Sequence, residues 1–251
     1  MTGLLDGRIA LITGGTRGLG RAIAQRFAKE GCRGALVDLS DAKTEGDPPS
    51  DFTAIAGDVG DEASLAAAVK DTLAAFGKLD IVIANAGLVP PWRETETLDM
   101  AEWDRVMAVN VRGIALTLKH TVPALKRNGG AIVAMASINA FTAHPRQMLY
   151  TASKHAVLGI VRAAARDLGR HGIRVNAVAP GPIATSALIE RIRKRAVSGP
   201  SEEDAFAALA QGTALGRLAT ADEVAKATLF LASDLASGIS GELLPVDAGL
   251  P

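Results

Sequence analysis

The chain predicts an α/β fold: one doubly wound, parallel, seven-stranded sheet with helices on both faces. Three observations carry this. Short apolar runs recur at 9–13, 35–38, 52–56, 81–84, 131–136, 173–179 and 243–246, without the alternation of half-exposed strands. A strand buried on both faces reads that way. Amphipathic helical patterns lie between them at 19–30, 62–76, 101–127, 149–170 and 221–232, and strands alternating with helices build a parallel sheet. No linker, repeat or low-complexity segment divides the 251 residues, so a single domain spanning 1–251 is expected.

Composition sets the outer bounds. A hydrophobic fraction of 48% is ample for a core, but aromatics are only 4%, so Ala, Val, Ile and Leu must fill it. The formal charge of +0 gives no reason to expect nucleic acid or an acidic membrane surface. The single cysteine, Cys32, allows no internal disulfide and suits a reducing compartment. Residues 1–7 lack the basic and apolar stretches of a signal peptide. No apolar run approaches the roughly 18 residues that a membrane helix needs. The expectation is a soluble, cytoplasmic globular protein.

The first strand runs straight into Gly14-Gly15-Thr16-Arg17-Gly18-Leu19-Gly20 and then a helix. Glycine permits a tight turn and close backbone approach, and the helix start offers free N–H groups and a positive dipole end. Together these suit a pyrophosphate. The second strand ends at Asp38, eighteen residues after Gly20. A dinucleotide fold wants an acid at about that interval to accept from the adenosine ribose. A carboxylate there repels the 2′-phosphate of NADP, whereas Arg17 would welcome it. Asp38 weighs more because it meets the hydroxyl that differs between the cofactors, so NAD is expected.

Residues 40–51, with Asp47-Pro48-Pro49-Ser50, show no helical pattern. This crossover is barely long enough for a helix, and a reduced turn is expected. Later, in the 101–127 pattern, Asn110 is a polar residue in an apolar stretch and needs a hydrogen-bonding reason to be there. The helix at 149–170 carries Tyr150, the only tyrosine, with Lys154 four residues on and therefore on the same face. A phenol with a pKa of about 10 is a poor acid or base at neutral pH. An ammonium one turn away favours the phenolate. The spacing alone also fits a packed Tyr beside a solvated Lys. After the sixth strand, 185–216 predicts a pair of short helices divided at Ser198-Gly199-Pro200-Ser201, with Ser201 as N-cap and Asp204 three residues on. A helical pair outside the strand–helix rhythm reads as a lid over the substrate.

Taken together, these features resemble the short-chain dehydrogenase/reductase family over nearly the whole chain. Thr13-Gly14-x3-Gly18-x-Gly20 matches its cofactor motif, and Asp58-Val59 its adenine-contacting pair. Asn85-Ala86-Gly87 resembles its Asn-Asn-Ala-Gly, with Ala84 in place of the first Asn. Asn110, Ser137, Tyr150 and Lys154 match its catalytic residues, with thirteen residues from Ser137 to Tyr150. Pro180-Gly181-Pro182-Ile183-Ala184-Thr185 is similar to the nicotinamide-side segment, and Val246-Asp247-Ala248-Gly249 to a C-terminal Val-Asp-Gly-Gly, with Ala248 replacing a glycine.

The resemblance implies a Rossmann fold and an oxidoreductase that interconverts a secondary alcohol and a ketone by hydride transfer. Tyr150 would be the general acid or base, Lys154 its pKa-lowering partner and a ribose ligand. Ser137 would hydrogen-bond the substrate oxygen, and Asn110 would order a water. NAD would be held by Gly14, Thr16, Arg17, Gly18, Leu19, Gly20, Asp38, Asp58, Val59, Asn85, Ala86, Gly87, Tyr150, Lys154, Pro180, Gly181, Ile183 and Thr185. The substrate would meet Ser137, Asn139, His144, Gln147 and Tyr150, with Ile138 and 89–93 alongside and Pro182, Leu188 and Ile192 closing the pocket. The partner is thus a small alcohol or ketone, and the resemblance implies a homo-oligomer, tetramer or dimer.

His144, Arg146 and Arg93 would suit a carboxylate or phosphate but read better as rim residues. His120, His155 and His171 have no metal-ligand spacing, and no metal is expected. Two alternatives stand beside this reading. One is an NADPH-dependent 3-oxoacyl-[acyl-carrier-protein] reductase, favoured by Arg17 and by Arg191, Arg193, Lys194 and Arg195 on the lid. The other, of a different class, is a non-catalytic NAD-binding sensor or scaffold.

Overall fold

The order of strands in the sheet decides where a ligand can sit. The computed structural model describes residues 3–40, 45–185, 188–189, 192–193 and 201–250. Its seven strands are β1 (Ile9–Thr13), β2 (Arg33–Asp38), β3 (Phe52–Ala56), β4 (Ile81–Ala84), β5 (Gly130–Met135), β6 (Ile173–Pro180) and β7 (Leu243–Val246). They pair in parallel in the order β3-β2-β1-β4-β5-β6-β7. The order reverses between β1 and β4, where Ile12 stands between Leu36 and Ile83. In open α/β sheets the crevice outside the carboxyl ends at that point is the binding edge.

The helices are α1 (Gly18–Lys29), α2 (Glu62–Phe76), α3 (Met100–Met107), α4 (Gly113–Leu125), α5 (Met148–Leu168), α6 (Glu202–Gln211) and α7 (Ala221–Ala232). Successive residues of a strand face opposite ways, and the core divides accordingly. Leu11, Val82, Ile132 and Val175 pack beneath Leu65 and Val69 of α2, Ile114 of α4 and Val157 and Val161 of α5. Ile12, Ile83, Val133 and Val178 pack on the other face against Ile23 and Phe27 of α1 and Val224 and Leu229 of α7. Phe27 is the one aromatic fully enclosed there, and truncating it to Ala would cost about 3–5 kcal/mol.

Outside 186–200, most of which lies beyond the described residues, the expected elements recur within a residue or two, with two differences. The strands are not all buried on both faces: Thr53, Ala54 and Ala56 of β3 are exposed. β3 is an edge strand, and the crossover before it carries no helix among the described residues to cover it. The 101–127 pattern is also not one helix. Residues Ala108–Arg112 form a π turn between α3 and α4, closed by the Gly113 N–H on the Ala108 carbonyl.

Candidate active site

At the nucleotide end the geometry is set by backbone. Gly14 takes a left-handed φ of 62°, and a Cβ there would lie 2.9 Å from the Ala86 Cα. At Gly20 a Cβ would lie 2.1 Å from the Gly14 carbonyl oxygen, so β1 and α1 meet at a distance only glycine allows. Thr13, buried at the end of β1, accepts on Oγ1 from the N–H groups of Asn85 (3.0 Å) and Ala86 (3.1 Å). Asn85 returns its amide to the carbonyls of Thr13 (2.9 Å) and Gly14 (3.0 Å). The Asn85 side chain therefore braces the glycine turn, and the backbone from Asn85 to Gly87 lines the crevice.

Asp38 grips the same turn from β2. Its Oδ2 accepts from the Thr16 N–H at 3.1 Å and hydroxyl at 2.6 Å, and its Oδ1 from the Leu39 N–H at 3.0 Å. The helices α2, α3, α6 and α7 each begin under a capping side chain, Asp61, Asp99, Ser201 and Thr220. Arg17, the N-cap of α1, supplies none. One N–H group of α1, that of Gly18, donates to the Glu45 carboxylate at 3.0 Å. Glu45 also anchors its own N–H on the Thr16 carbonyl, and Arg21 holds the Gly46 carbonyl at 2.9 Å. Arg17 itself is exposed.

Asp58 accepts from the Gly60 N–H at 2.7 Å, and Val59 is buried against Gly113 of α4. Across the crevice, Gly181 approaches Asp247 closely enough that a Cβ would sit 2.8 Å from the Asp247 Cβ. Beyond it, Ile183 pairs with Ala219, and the Thr185 N–H reaches the Ile183 carbonyl at 2.6 Å.

The end around Tyr150 and Lys154 is built from side chains. Lys154 is 4% exposed, and its Nζ donates to the Met135 carbonyl at the end of β5 at 2.8 Å. The same Nζ stands 5.6 Å from the centre of the Tyr150 ring. Burial pushes the ammonium down to about 8 from its ordinary 10.5, because a charge in a low-dielectric interior is disfavoured. A Cβ at Gly87 would lie 3.8 Å from that Nζ and 3.3 Å from the Asn110 Oδ1, so the glycine keeps the space beside the lysine open.

Asn110, fully buried in the π turn, accepts on Oδ1 from the Leu88 N–H at 2.7 Å. It donates to the Leu88 carbonyl at 2.8 Å and to the Ser153 hydroxyl at 3.2 Å, and Ser153 donates in turn to the Tyr150 carbonyl at 2.8 Å. Both amide hydrogens are thereby engaged. The side chain clamps the segment after Gly87 to α5.

Ser137 lies two residues beyond the end of β5 and caps a 3-10 turn, Ile138–Ala140. Its Oγ accepts from the Asn139 N–H at 3.3 Å and points toward the Asn139 Oδ1 at 3.5 Å. Asn139, expected to face substrate, is 4% exposed and engaged inward through Gln147 and Thr151. Gln147 thus meets the protein through its amide oxygen, and His144 contacts Thr142 at 3.4 Å.

Beside Tyr150, a cleft is lined by the apolar Val89, Trp92, Leu98 and Met148 and by the polar Arg93, Glu102, Arg146 and Gln147. The two rim arginines are already engaged. Arg93 pairs with Glu102 at 2.9 Å, and Arg146 lies over Trp92 at 5.6 Å and near Glu94 at 3.9 Å. In the 185–216 segment, Ser201 caps α6 through the Asp204 N–H at 3.1 Å, as its sequence predicts. Ile192 is buried and Arg193 pairs with Glu202 at 2.8 Å. Arg191, Lys194 and Arg195, and the 198–200 break, lie outside the described residues. Among the described residues there is no metal-ligating cluster, and no helix is long and apolar enough to cross a membrane.

Sequence reasoning missed Glu45 and Ser153 as parts of the site, and named Thr13 only within the glycine motif. Thr13 lies inside the glycine motif and Ser153 inside the Tyr–Lys turn, so each carried a positional signal. Glu45 lies in a patternless stretch and carried none.

Comparison with known proteins places this geometry among relatives. The family described as "Enoyl-(Acyl carrier protein) reductase" matches residues 14–251. The chain is 40% identical to Short-chain dehydrogenase reductase 5 of Arabidopsis thaliana, over 98% of this chain and 95% of that one. It is 36% identical to levodione reductase of Leifsonia aquatica, over 96% and 93%. Carveol dehydrogenase from Mycobacterium avium, solved in complex with NAD, superposes with a TM-score of 0.90 at 32% identity, covering 99% of each chain.

Proposed function

From the premise that the chain belongs to the short-chain dehydrogenase/reductase family, and is thus an oxidoreductase, we propose that it interconverts an uncharged secondary alcohol and its ketone with NAD. The observation that carries the reading is the buried Lys154 ammonium held against the Tyr150 ring by the Met135 carbonyl. A lysine buried for packing alone would be costly. A lysine that must stay charged beside a phenol has a chemical reason to be there.

The crevice fits a dinucleotide. The Gly14–Gly20 turn and the dipole end of α1 suit the pyrophosphate, Asp38 the adenosine ribose, Asp58 and Val59 the adenine, and the backbone from Asn85 to Gly87 the middle of the molecule. Pro180, Gly181, Ile183 and Thr185 line the nicotinamide side. Once bound, the nicotinamide supplies the acceptor or donor of hydride. Two carboxylates, Asp38 and Glu45, grip the Thr16–Gly18 turn. Their charge supports NAD over a cofactor with a further phosphate, as does the NAD bound by carveol dehydrogenase.

In the oxidative direction Tyr150 takes the hydroxyl proton of the alcohol on its phenolate oxygen, and in reduction it returns that proton to the ketone oxygen. Lys154 lowers the cost of the phenolate and holds the nicotinamide ribose. Ser137 donates to the substrate oxygen and stabilises charge developing there. Asn110 keeps the Leu88 segment and the start of α5 in register. The charged residues of the cleft are already engaged with the protein, Arg93 with Glu102 and Arg146 over Trp92 and near Glu94, which supports an uncharged substrate.

Initial rates across secondary alcohols, with NAD+ and NADP+ side by side, test the reading. Faster turnover with NAD+ on uncharged alcohols is expected. Preference for NADP+ would move the reading to the carrier-protein reductase, and NADH binding without turnover on any alcohol would move it to the sensor.

A further inference from the structure

Asn139 is a buried amide one turn behind the reaction centre. Both of its hydrogens are engaged, donating to the Gln147 Oε1 at 3.1 Å and to the Thr151 Oγ1 at 3.0 Å. Gln147 and Thr151 flank Tyr150 on the first turn of α5. With both donors directed at α5, the remaining Oδ1 must face Ser137, which fixes the orientation of the amide. The Asn139 N–H donates to the Ser137 Oγ at 3.3 Å, and the hydroxyl proton points to Oδ1 across a long 3.5 Å.

We infer that Asn139 is a positioning residue that ties the Ser137 turn to the Tyr150 turn and holds the serine proton on a weak acceptor, from which it swings to the substrate oxygen. This rests on the dehydrogenase reading above. The bond at 3.5 Å is at the limit of usefulness, so the proton is oriented but easily surrendered. The N–H donated to Oγ polarises the same hydroxyl and strengthens it as a donor. A packing role alone would be served by an apolar residue of similar size, without three side-chain polar contacts that reach Ser137 on one side and the Tyr150 turn on the other.

The test uses the full-length protein and an alcohol that the wild type turns over. Asn139→Ala is expected to lower kcat about 10- to 100-fold, the range for loss of alignment at a reaction centre, with NADH affinity and melting temperature little changed. Asn139→Asp replaces the weak acceptor by a carboxylate that binds the serine proton strongly when ionised. Its activity should therefore be low at high pH and recover as pH falls through the new group's pKa, a limb absent from the wild type. Thr151→Val removes one anchor and should lower kcat by a smaller factor, and with Asn139→Asp it decides the matter if Asn139→Ala does not fold.

Three results would overturn the inference. They are wild-type kcat within threefold in Asn139→Ala, an Asn139→Asp pH profile of wild-type shape, or a loss of turnover matched by an equal loss of NADH affinity. A wild type without turnover on any alcohol would overturn the dehydrogenase reading and this inference together. An active wild type with indifferent Asn139 variants would overturn this inference alone.

Discussion

The two halves of the crevice reach rigidity by different means. At the nucleotide end, close approach of main chain to main chain sets the turn, Gly14 against Ala86 and Gly20 against Gly14, and side chains such as Asn85 and Asp38 only brace a path that glycine alone permits. At the catalytic end, side-chain hydrogen bonds fix it, through Asn110, Ser153, Asn139 and Lys154. The first kind of construction fails by collision, the second by loosening. Substitutions at one end should therefore alter cofactor binding and stability together, and at the other end rate with little change in either.

Within the glycine turn the closest collision is at Gly20. Gly20→Ala puts a methyl 2.1 Å from the Gly14 oxygen, and separating β1 from α1 should cost about 3 kcal/mol. Denaturant titration and NADH titration of the same preparation should show both stability and affinity lost. Gly18 sharpens the point, because a Cβ there meets nothing within 4 Å and only its φ of 53° opposes the change. Stability retained in Gly20→Ala would mean the turn is looser than its contacts imply.

Lys154 sets activity against stability. A pKa of about 8 in place of 10.5 corresponds to about 3 kcal/mol of penalty for holding the charge in the interior. Losing the bond to the Met135 carbonyl returns about 1 kcal/mol of that. Lys154→Met should thus be inactive yet more stable by about 2 kcal/mol, or several degrees of melting temperature. The pH dependence follows from the depressed pKa. Between about 8 and 10.5 the unfolded chain binds the extra proton, so wild-type stability gains from this group as pH rises. The advantage of Lys154→Met should be full below pH 8 and shrink toward pH 10.5. An unchanged difference across that range would contradict the assignment of the penalty to this lysine.

The smallest effect is at Ala248, which takes a left-handed φ of 59° where the resembling motif has glycine. Relief of that strain, less the greater freedom of glycine in the unfolded chain, should leave Ala248→Gly more stable by about 0.5 kcal/mol. Thermal melts of the pair would register it.

The sequence made the nucleotide end readable because glycine spacing and a strand-end acid are local signals. The strands at 9–13, 52–56, 81–84 and 243–246 and the helices at 62–76 and 221–232 stand at their expected bounds. The π turn at Ala108–Arg112 left no trace, since one added residue barely shifts a helical period and the apolar pattern runs on through it. The exposure of β3 was hidden for another reason: Thr53 and Ala54 suit either face, and edge position belongs to topology. Asn139 read as a pocket residue because its place after Ser137 was legible, while the direction of its amide depends on Gln147 and Thr151 arriving from another element.

Tyr150→Phe tests the central claim most directly, that binding and chemistry are held by separate constructions. NADH affinity and alcohol turnover would be measured on this variant and on the wild type. NADH affinity within about twofold of wild type is expected, with turnover lower by about 10³-fold or more, toward the upper range for a general acid–base group. Turnover within tenfold of wild type would remove Tyr150 from the chemistry. Loss of NADH affinity in step with turnover would contradict the separation itself.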